Sequence, residues 1–205
     1  LYPAMESGVL DIIIGKGPSA RTVQLELPPF TLVAATTRIS LLSSPLRSRF
    51  SGGTFRLDFY ETDEIAQILK RSAGLLDVEV SDELLADIAK RCRATPRTAN
   101  YLLKRCRDLA QLENSALTPR LLQKTFNLLD IDSLGLGKTD RAVLEVIANK
   151  FNGGPVGLNT IAAATGEESS TIEDVIEPYL IRCGLLERTP RGRVTSPEAY
   201  GHLNT

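Results

Sequence analysis

Of three short arginine-bearing sites in this sequence, 188–193 is a candidate polyanion contact by charge alone, as is the longer stretch 90–107. Arg47-Ser48-Arg49-Phe50 sets two arginines one residue apart. A guanidinium is planar, always charged and able to bond two phosphate oxygens together, which lysine cannot do; the other reading is a solvated pair after a helix. Thr95-Pro96-Arg97 puts an arginine in the first turn of a predicted helix, where the helix N-terminus and a fixed cation both favour an anion. Arg188-Thr-Pro-Arg-Gly-Arg193 holds three arginines in six residues with no acid. Its Pro-Arg-Gly turn would carry Arg188, Arg191 and Arg193 together toward a phosphate backbone, a contact that positions without reading bases; otherwise it is a solvated basic turn. A fourth basic stretch, 90–107, has seven basic residues and no acid. Apart from Arg97, its members Lys90, Arg91, Arg93, Lys104, Arg105 and Arg107 read as a solvated or intersubunit helix face and are not assigned to nucleic acid.

The elements that must position these residues follow from periodicity. Leu10-Asp-Ile-Ile-Ile14 and Thr22-Val-Gln-Leu-Glu-Leu27 flank Gly15-Lys16-Gly17-Pro18, a pair of strands around a Gly/Pro turn. The hairpin carries more apolar residues than one face buries, among them Ile12, Ile14, Val23 and Leu25, and so reads as a partner surface, or as a hairpin covered on both faces by its own core. Phe30-Thr-Leu-Val-Ala-Ala35 has the pattern of a buried strand in a parallel sheet and runs into Thr36-Thr37-Arg38. Ligands collect at such strand ends, making Thr37 a candidate contact, with capping of the next turn as the alternative.

From about Tyr60 to Asp130 the pattern is helical. Thr62 or Asp63, Ser81, Thr95 before Pro96 and Thr118 before Pro119 are the expected caps of four short helices. After Gly135–Gly137, three amphipathic segments follow, built on Val143, Leu144, Ile147 and Phe151, on 158–164, and on Ile172, Val175, Ile176, Tyr179 and Leu180. The period then changes to two around Thr189-Pro190-Arg191-Gly192, so three helices precede a two-stranded ribbon, the order of a winged helix. The third of these helices carries Glu173, Asp174 and Glu177 and is poorly equipped to enter a major groove.

Composition removes several classes. With 42% hydrophobic and 24% charged residues and a net charge of −1, the chain is neither a membrane span nor a uniformly basic nucleic-acid binder. Cys92, Cys106 and Cys183 form no Cys-x-x-Cys pair and His202 is the single histidine, so neither a metal site nor a disulfide framework is expected. No secretory signal opens the sequence, and cytoplasmic residence is the default. Gly135-Leu-Gly-Lys138-Thr139 imitates the end of a phosphate-binding loop, but residue 132 is Asp where that motif requires glycine, and no strand precedes it. It reads as a linker.

Leu1-Tyr-Pro-Ala-Met-Glu6, Leu27-Pro-Pro-Phe30, Ala35-Thr-Thr-Arg38, Ser44-Pro-Leu-Arg-Ser-Arg-Phe50, Thr95-Pro-Arg97, Gly153-Gly-Pro-Val-Gly157, Ile172-Glu-Asp-Val175, Glu177-Pro-Tyr-Leu-Ile181 and Arg188-Thr-Pro-Arg-Gly-Arg193 lie in the same order and at similar intervals as in the RuvB family of bacterial Holliday-junction branch-migration ATPases. The resemblance implies an α/β plus all-α chain: the end of an AAA+ P-loop core with its β-hairpin over 1–58, a helical lid over 59–132 and a winged helix over 133–205. It implies ATP and Mg2+ as cofactors. It makes Arg49 an arginine finger acting in trans, Arg47 its support, Thr37 a sensor of the γ-phosphate, Arg97 a second sensor, and Glu6 and Tyr60 nucleotide contacts. Tyr60 also reads as a core aromatic at a domain joint. Partners implied are four-way and duplex DNA, further copies in a hexamer, RuvA docked through Val23 and Leu25, and the RuvC resolvase.

The phosphate loop and the magnesium-holding acids are missing, and the resemblance places them ahead of Leu1, so the sequence reads as the C-terminal two-thirds of a motor subunit. Ser7-Gly8 and the segment Phe50-Ser-Gly-Gly-Thr-Phe55, one residue longer than usual, depart from the family pattern and bear on adenosine contacts and on finger geometry. Two other functions fit the same residues: a non-enzymatic winged-helix DNA-binding protein, and an inactive subunit that enters hexamers as a finger donor.

Overall fold

A computed structural model describes residues 2–15, 17 and 20–204. The chain divides into two compact units, Leu1–Leu57 and Asp58–Thr205.

The first unit opens with α1 (Tyr2–Ser7), which passes through Gly8 into β1 (Val9–Ile14). Gly8 has φ +67°, a left-handed turn that costs other residues about 1–2 kcal/mol, and its carbonyl accepts from Leu27 N–H at 2.7 Å to close the base of the hairpin. β2 (Arg21–Glu26) pairs antiparallel with β1 in the register Leu10–Leu25, Ile12–Val23 and Ile14–Arg21. Successive side chains alternate faces, so Leu10, Ile12, Ile14, Val23 and Leu25 share one face with Arg21, while Asp11, Thr22, Gln24 and Glu26 share the other with Val9 and Ile13. Gln24 Nε2 donates to Asp11 Oδ1 at 3.1 Å across the polar face. Of the predicted turn, Lys16 and Pro18 lie outside the described residues.

The strand expected over Phe30–Ala35 is not there. This segment has no regular secondary structure, pairs with no strand among the described residues, and leaves Val33 87% exposed. An apolar run reports a tendency to be covered on two sides, but strand structure needs a hydrogen-bonded neighbour to form against. One short 3-10 turn at Ile39–Leu41 and α2 (Ser44–Arg47) complete the unit.

The second unit begins with four helices, α3 (Thr62–Leu75), α4 (Asp82–Arg91), α5 (Pro96–Leu112) and α6 (Pro119–Leu128). Their apolar stripes bury Ile65, Leu69, Ile88, Leu102, Leu103 and Phe126 completely. Two expected caps differ. Glu61, not Thr62 or Asp63, is the N-cap of α3, and its N–H donates to Glu64 Oε2 at 2.8 Å. Thr95 sits at the N-cap of α5, its hydroxyl bonded to Cys92 O at 3.2 Å and Thr98 Oγ1 at 2.8 Å, and no side chain caps the first turn of α5 among the described residues. Ser81 and Thr118 cap as expected, accepting from Leu84 N–H and Leu121 N–H.

Residues 130–137 are a packed joint, not a slack linker. Asp132 Oδ1 accepts from the Leu134 and Leu136 N–H groups at 2.9 Å, Leu136 is fully buried, and a Cβ on Gly135 would lie 2.4 Å from Arg91 O. The winged helix follows: α7 (Lys138–Glu145) running into a wider π turn at Val146–Lys150, α8 (Leu158–Thr165), and a third helix made of α9 (Ser169–Thr171), a π turn at Ile172–Ile176 and α10 (Glu177–Arg182). Pro178 explains that second π turn: its ring displaces the carbonyl four residues back and offers no N–H. β3 (Leu186–Thr189) and β4 (Gly192–Thr195) form the ribbon, and Val156 bonds to Arg193 on its other edge. That bridge leaves no room for side chains at Gly154 and Gly192, whose Cβ atoms would fall 2.4 Å from Arg193 O and 2.5 Å from Val156 O. A short helix, α11 (Pro197–Leu203), closes the unit and was not foreseen.

Candidate functional site

The first unit gathers two of the phosphate-chemistry candidates. Arg49 follows α2, and α1 lies so that Glu6 and Tyr2 meet it. Arg49 Nη2 donates to Glu6 Oε1, Nη1 donates to Pro45 O at 2.6 Å, and the guanidinium stacks over the Tyr2 ring at 4.8 Å. The Tyr2 hydroxyl is itself bonded to Ser43 Oγ at 2.8 Å. Only 25% of the Arg49 side chain is exposed, and its buried Nε has no acceptor among the described residues. Arg47, in the last turn of α2, is exposed. Thr37 is exposed in a bend and ends no strand; its neighbour Thr36 accepts from Arg38 N–H through Oγ1 at 3.0 Å, so the local turn is Thr36's work. Ile12, Ile14, Val23 and Leu25 share one exposed face of the hairpin, and no core covers that face among the described residues.

In the second unit Arg97 is exposed at the second position of α5, with no ion pair among the described residues. The uncapped first turn and this cation together form a local positive end. Tyr60 stands exposed just ahead of α3.

The wing corrects the expectation that three arginines project together. Arg188 and Arg193 are cross-strand partners on one face of the ribbon, and that face meets the third helix. Arg193, 8% exposed, donates from Nε and Nη2 to Glu177 Oε2 at 3.1 and 2.8 Å, and Glu177 is 1% exposed. Arg188 donates to Glu173 Oε1 at 2.7 Å and stands 3.6 Å from Glu177 Oε1. The Glu173 bond, with Glu177 nearby, raises its already high pKa, so it stays cationic at any working pH. Arg191, at the tip, is exposed and without an ion pair among the described residues. The acids that disfavour groove entry are thus partly internal counter-ions of the wing.

Sequence reasoning missed the hub between lid and winged helix. Arg93 and Ala94 both have left-handed backbones, φ 56° and 54°. Arg93 is held there by the buried Asp140 carboxylate at 3.3 Å, by Val175 O at 3.3 Å and by the Tyr179 ring at 4.3 Å. Three contacts over-determine a strained turn. Tyr179 donates to Leu134 O at 2.6 Å, and burial raises its pKa. Arg182 stacks on Phe59 at 4.3 Å, and His202 bonds Asp132 at 2.8 Å. The positive φ at Arg93 has no sequence signature, although Glu173 and Glu177, four apart opposite a basic ribbon, did carry one for the wing pairs. Val175 and Phe151, expected in the core, are partly exposed. Burial lifts the Cys106 thiol to about 11, and no cysteine is paired.

No group of three or more His, Cys, Asp or Glu that could hold a metal ion exists among the described residues. No described helix is long and apolar enough to cross a membrane.

Three family models match successive parts of the chain: the Holliday junction DNA helicase RuvB P-loop domain over 1–57, the RuvB AAA lid domain over 60–132 and the RuvB C-terminal winged helix domain over 133–204. The Holliday junction branch migration complex subunit RuvB of Oleidesulfovibrio alaskensis is 54% identical over all 205 residues, which span 64% of that protein's length. The Thermotoga maritima RuvB Holliday junction branch migration motor superposes with a TM-score of 0.79 at 49% identity, over 87% of this chain and 60% of that one. The P216G mutant of the same protein gives 0.82 at 45% identity over 99% and 64%. With lid, winged helix and the matched end of the P-loop domain in the same order and at this identity, the chain belongs to the RuvB family.

Proposed function

We propose that this chain serves as part of an ATP-driven Holliday-junction branch-migration subunit in DNA recombination and repair, in the cytoplasm, and that its share of the work is to complete a neighbour's nucleotide site. The observation that carries this reading is 54% identity along the whole chain to a branch migration complex subunit.

The 205 residues contain no complete phosphate-binding loop, so the nucleotide and its Mg2+ are cradled by another polypeptide segment. Bound there, the ion would neutralise charge between the β- and γ-phosphates. Arg49 is the finger: its delocalised cation stabilises charge that grows on the γ-phosphoryl oxygens as the bond to the leaving oxygen breaks. Arg97 places a second cation at a helix N-terminus suited to a phosphate. Arg47, Thr37, Tyr60 and Glu6 are assigned supporting roles around the nucleotide. The apolar hairpin face, with Ile12, Ile14, Val23 and Leu25, is the docking surface for RuvA, and the assembly is a hexamer on four-way and duplex DNA, with RuvC as a further partner.

The test mixes this chain with full-length RuvB subunits whose own finger arginine is replaced by alanine. Restored ATP hydrolysis is expected; a confirmed mixed assembly without hydrolysis overturns the reading.

For DNA, the wing tip and not the whole ribbon is the contact. Arg191→Ala is expected to weaken duplex binding uniformly across sequences and to lower the slope of log affinity against log salt by about one. Arg193→Ala should instead lower stability, because it strands Glu177. Titrations at several salt concentrations distinguish the two; an unchanged slope in Arg191→Ala removes the wing tip from the interface.

A further inference from the structure

We infer that Glu6, with Tyr2, is a positioning residue for Arg49: carboxylate and ring hold the guanidinium from within the same chain, leaving its remaining N–H donors for the phosphate of a neighbouring subunit. The inference rests on the reading of Arg49 as a finger and adds what orients it.

The geometry supplies three constraints from two elements. Glu6 takes one Nη2 hydrogen, the Pro45 carbonyl takes one Nη1 hydrogen at 2.6 Å, and the Tyr2 ring lies against the guanidinium at 4.8 Å. A guanidinium has five N–H donors. Two are used, one on each Nη remains, and Nε is buried without an acceptor. A carbonyl and a ring alone leave an arginine free to swing, because its stem carries many rotamers. The charged bond to Glu6 is the contact that sets its direction, and Tyr2, anchored through Ser43 at 2.8 Å, keeps the plane from tilting. Electrostatics favours this role over a direct nucleotide contact. A carboxylate facing a phosphate is repelled, whereas a carboxylate behind an arginine steadies the cation that meets the phosphate.

A positioning role predicts a loss confined to the chemical step. In rings that mix this chain with finger-less full-length RuvB, Glu6→Gln keeps size and one acceptor oxygen but removes the charge. It is expected to lower kcat about tenfold with KM for ATP unchanged, the signature of an interaction made only in the transition state. Tyr2→Leu is expected to act in the same direction with a smaller loss. In an Arg49→Ala background, Glu6→Gln should cost nothing further, because its effect passes through the arginine. Assembly is measured first, and if Glu6→Gln does not enter rings, Tyr2→Leu decides.

The outcomes separate the two claims. If Arg49→Ala restores hydrolysis as well as the unaltered chain does, the finger reading falls and the inference with it. If Arg49→Ala fails but Glu6→Gln and Tyr2→Leu restore full rates, or if Glu6→Gln raises KM alone, or if it slows the Arg49→Ala rings further, the finger stands and the positioning role is overturned.

Discussion

In rings of this chain with finger-less full-length subunits, where hydrolysis is expected to be restored, replacing Arg49 with alanine is expected to cut that hydrolysis by about three orders of magnitude or more. The size follows from the finger role proposed for Arg49: charge develops on the transferred phosphoryl group only in the transition state, and a cation met at that moment lowers the barrier without tightening ATP binding. Arg49→Lys should recover little. An ammonium is a point charge that cannot bond Glu6, Pro45 O and phosphate oxygens along several arms of one plane. Turnover at saturating ATP, with ring assembly measured in parallel, provides the check, and a lysine variant within a few-fold of the arginine would show that charge alone suffices.

Removing Glu177 is expected to destabilise the winged helix by about 3–5 kcal/mol. Arg193 is buried on the inner face of the ribbon and both of its bonds to a side chain go to one Glu177 oxygen. Glu177→Ala leaves a guanidinium with neither water nor its close counter-ion; Glu173, 3.9 Å away and partly exposed, is a weak substitute. Replacing both partners with methionine should cost far less, since a buried pair that is removed whole leaves no orphaned charge. Urea unfolding followed by circular dichroism measures both variants. Equal losses in the single and double replacements would mean that packing and not charge holds the wing. The exposed Arg188–Glu173 pair, with 56% and 41% of the side chains open to solvent, should matter much less.

These two sites show what could be read in advance. Arg49 was singled out because Arg47-Ser48-Arg49-Phe50 occurs in the family's order and the chemistry of phosphates selects arginine. Its neighbour Tyr2 was not, since a contact across so many residues, like the 43 between Arg49 and Glu6, leaves no trace in local spacing; the Pro45 carbonyl, four residues back, is a local partner. The hairpin strands were legible from their apolar alternation, but which apolar residues share a face depended on register. Ile12 opposite Val23 and Leu10 opposite Leu25 put these four side chains and Ile14 on one face as a patch, and left Val9 and Ile13 on the other. In the wing, the basic turn was visible and its meaning was misjudged. Arg188 and Arg193 lie across from one another, so they point the same way, and the helix they face carries Glu173 and Glu177.

Arg49 and Arg97 became candidates through the family resemblance, whereas local chemistry and periodicity were sufficient for the four lid helices, for the helix order and ribbon of the winged helix, and for Arg191 as a candidate phosphate contact. Those features depend on residues within one or two turns of each other, where sequence distance and spatial distance agree. Tertiary structure alone decided that Phe30–Ala35 forms no strand, that Arg93 locks lid to winged helix through Asp140, Val175 and Tyr179, and that Arg193 is an interior cation. Each depends on which partner a side chain or strand edge finds, and an arginine that meets a buried carboxylate becomes structure where the same arginine facing water is free to bind phosphate.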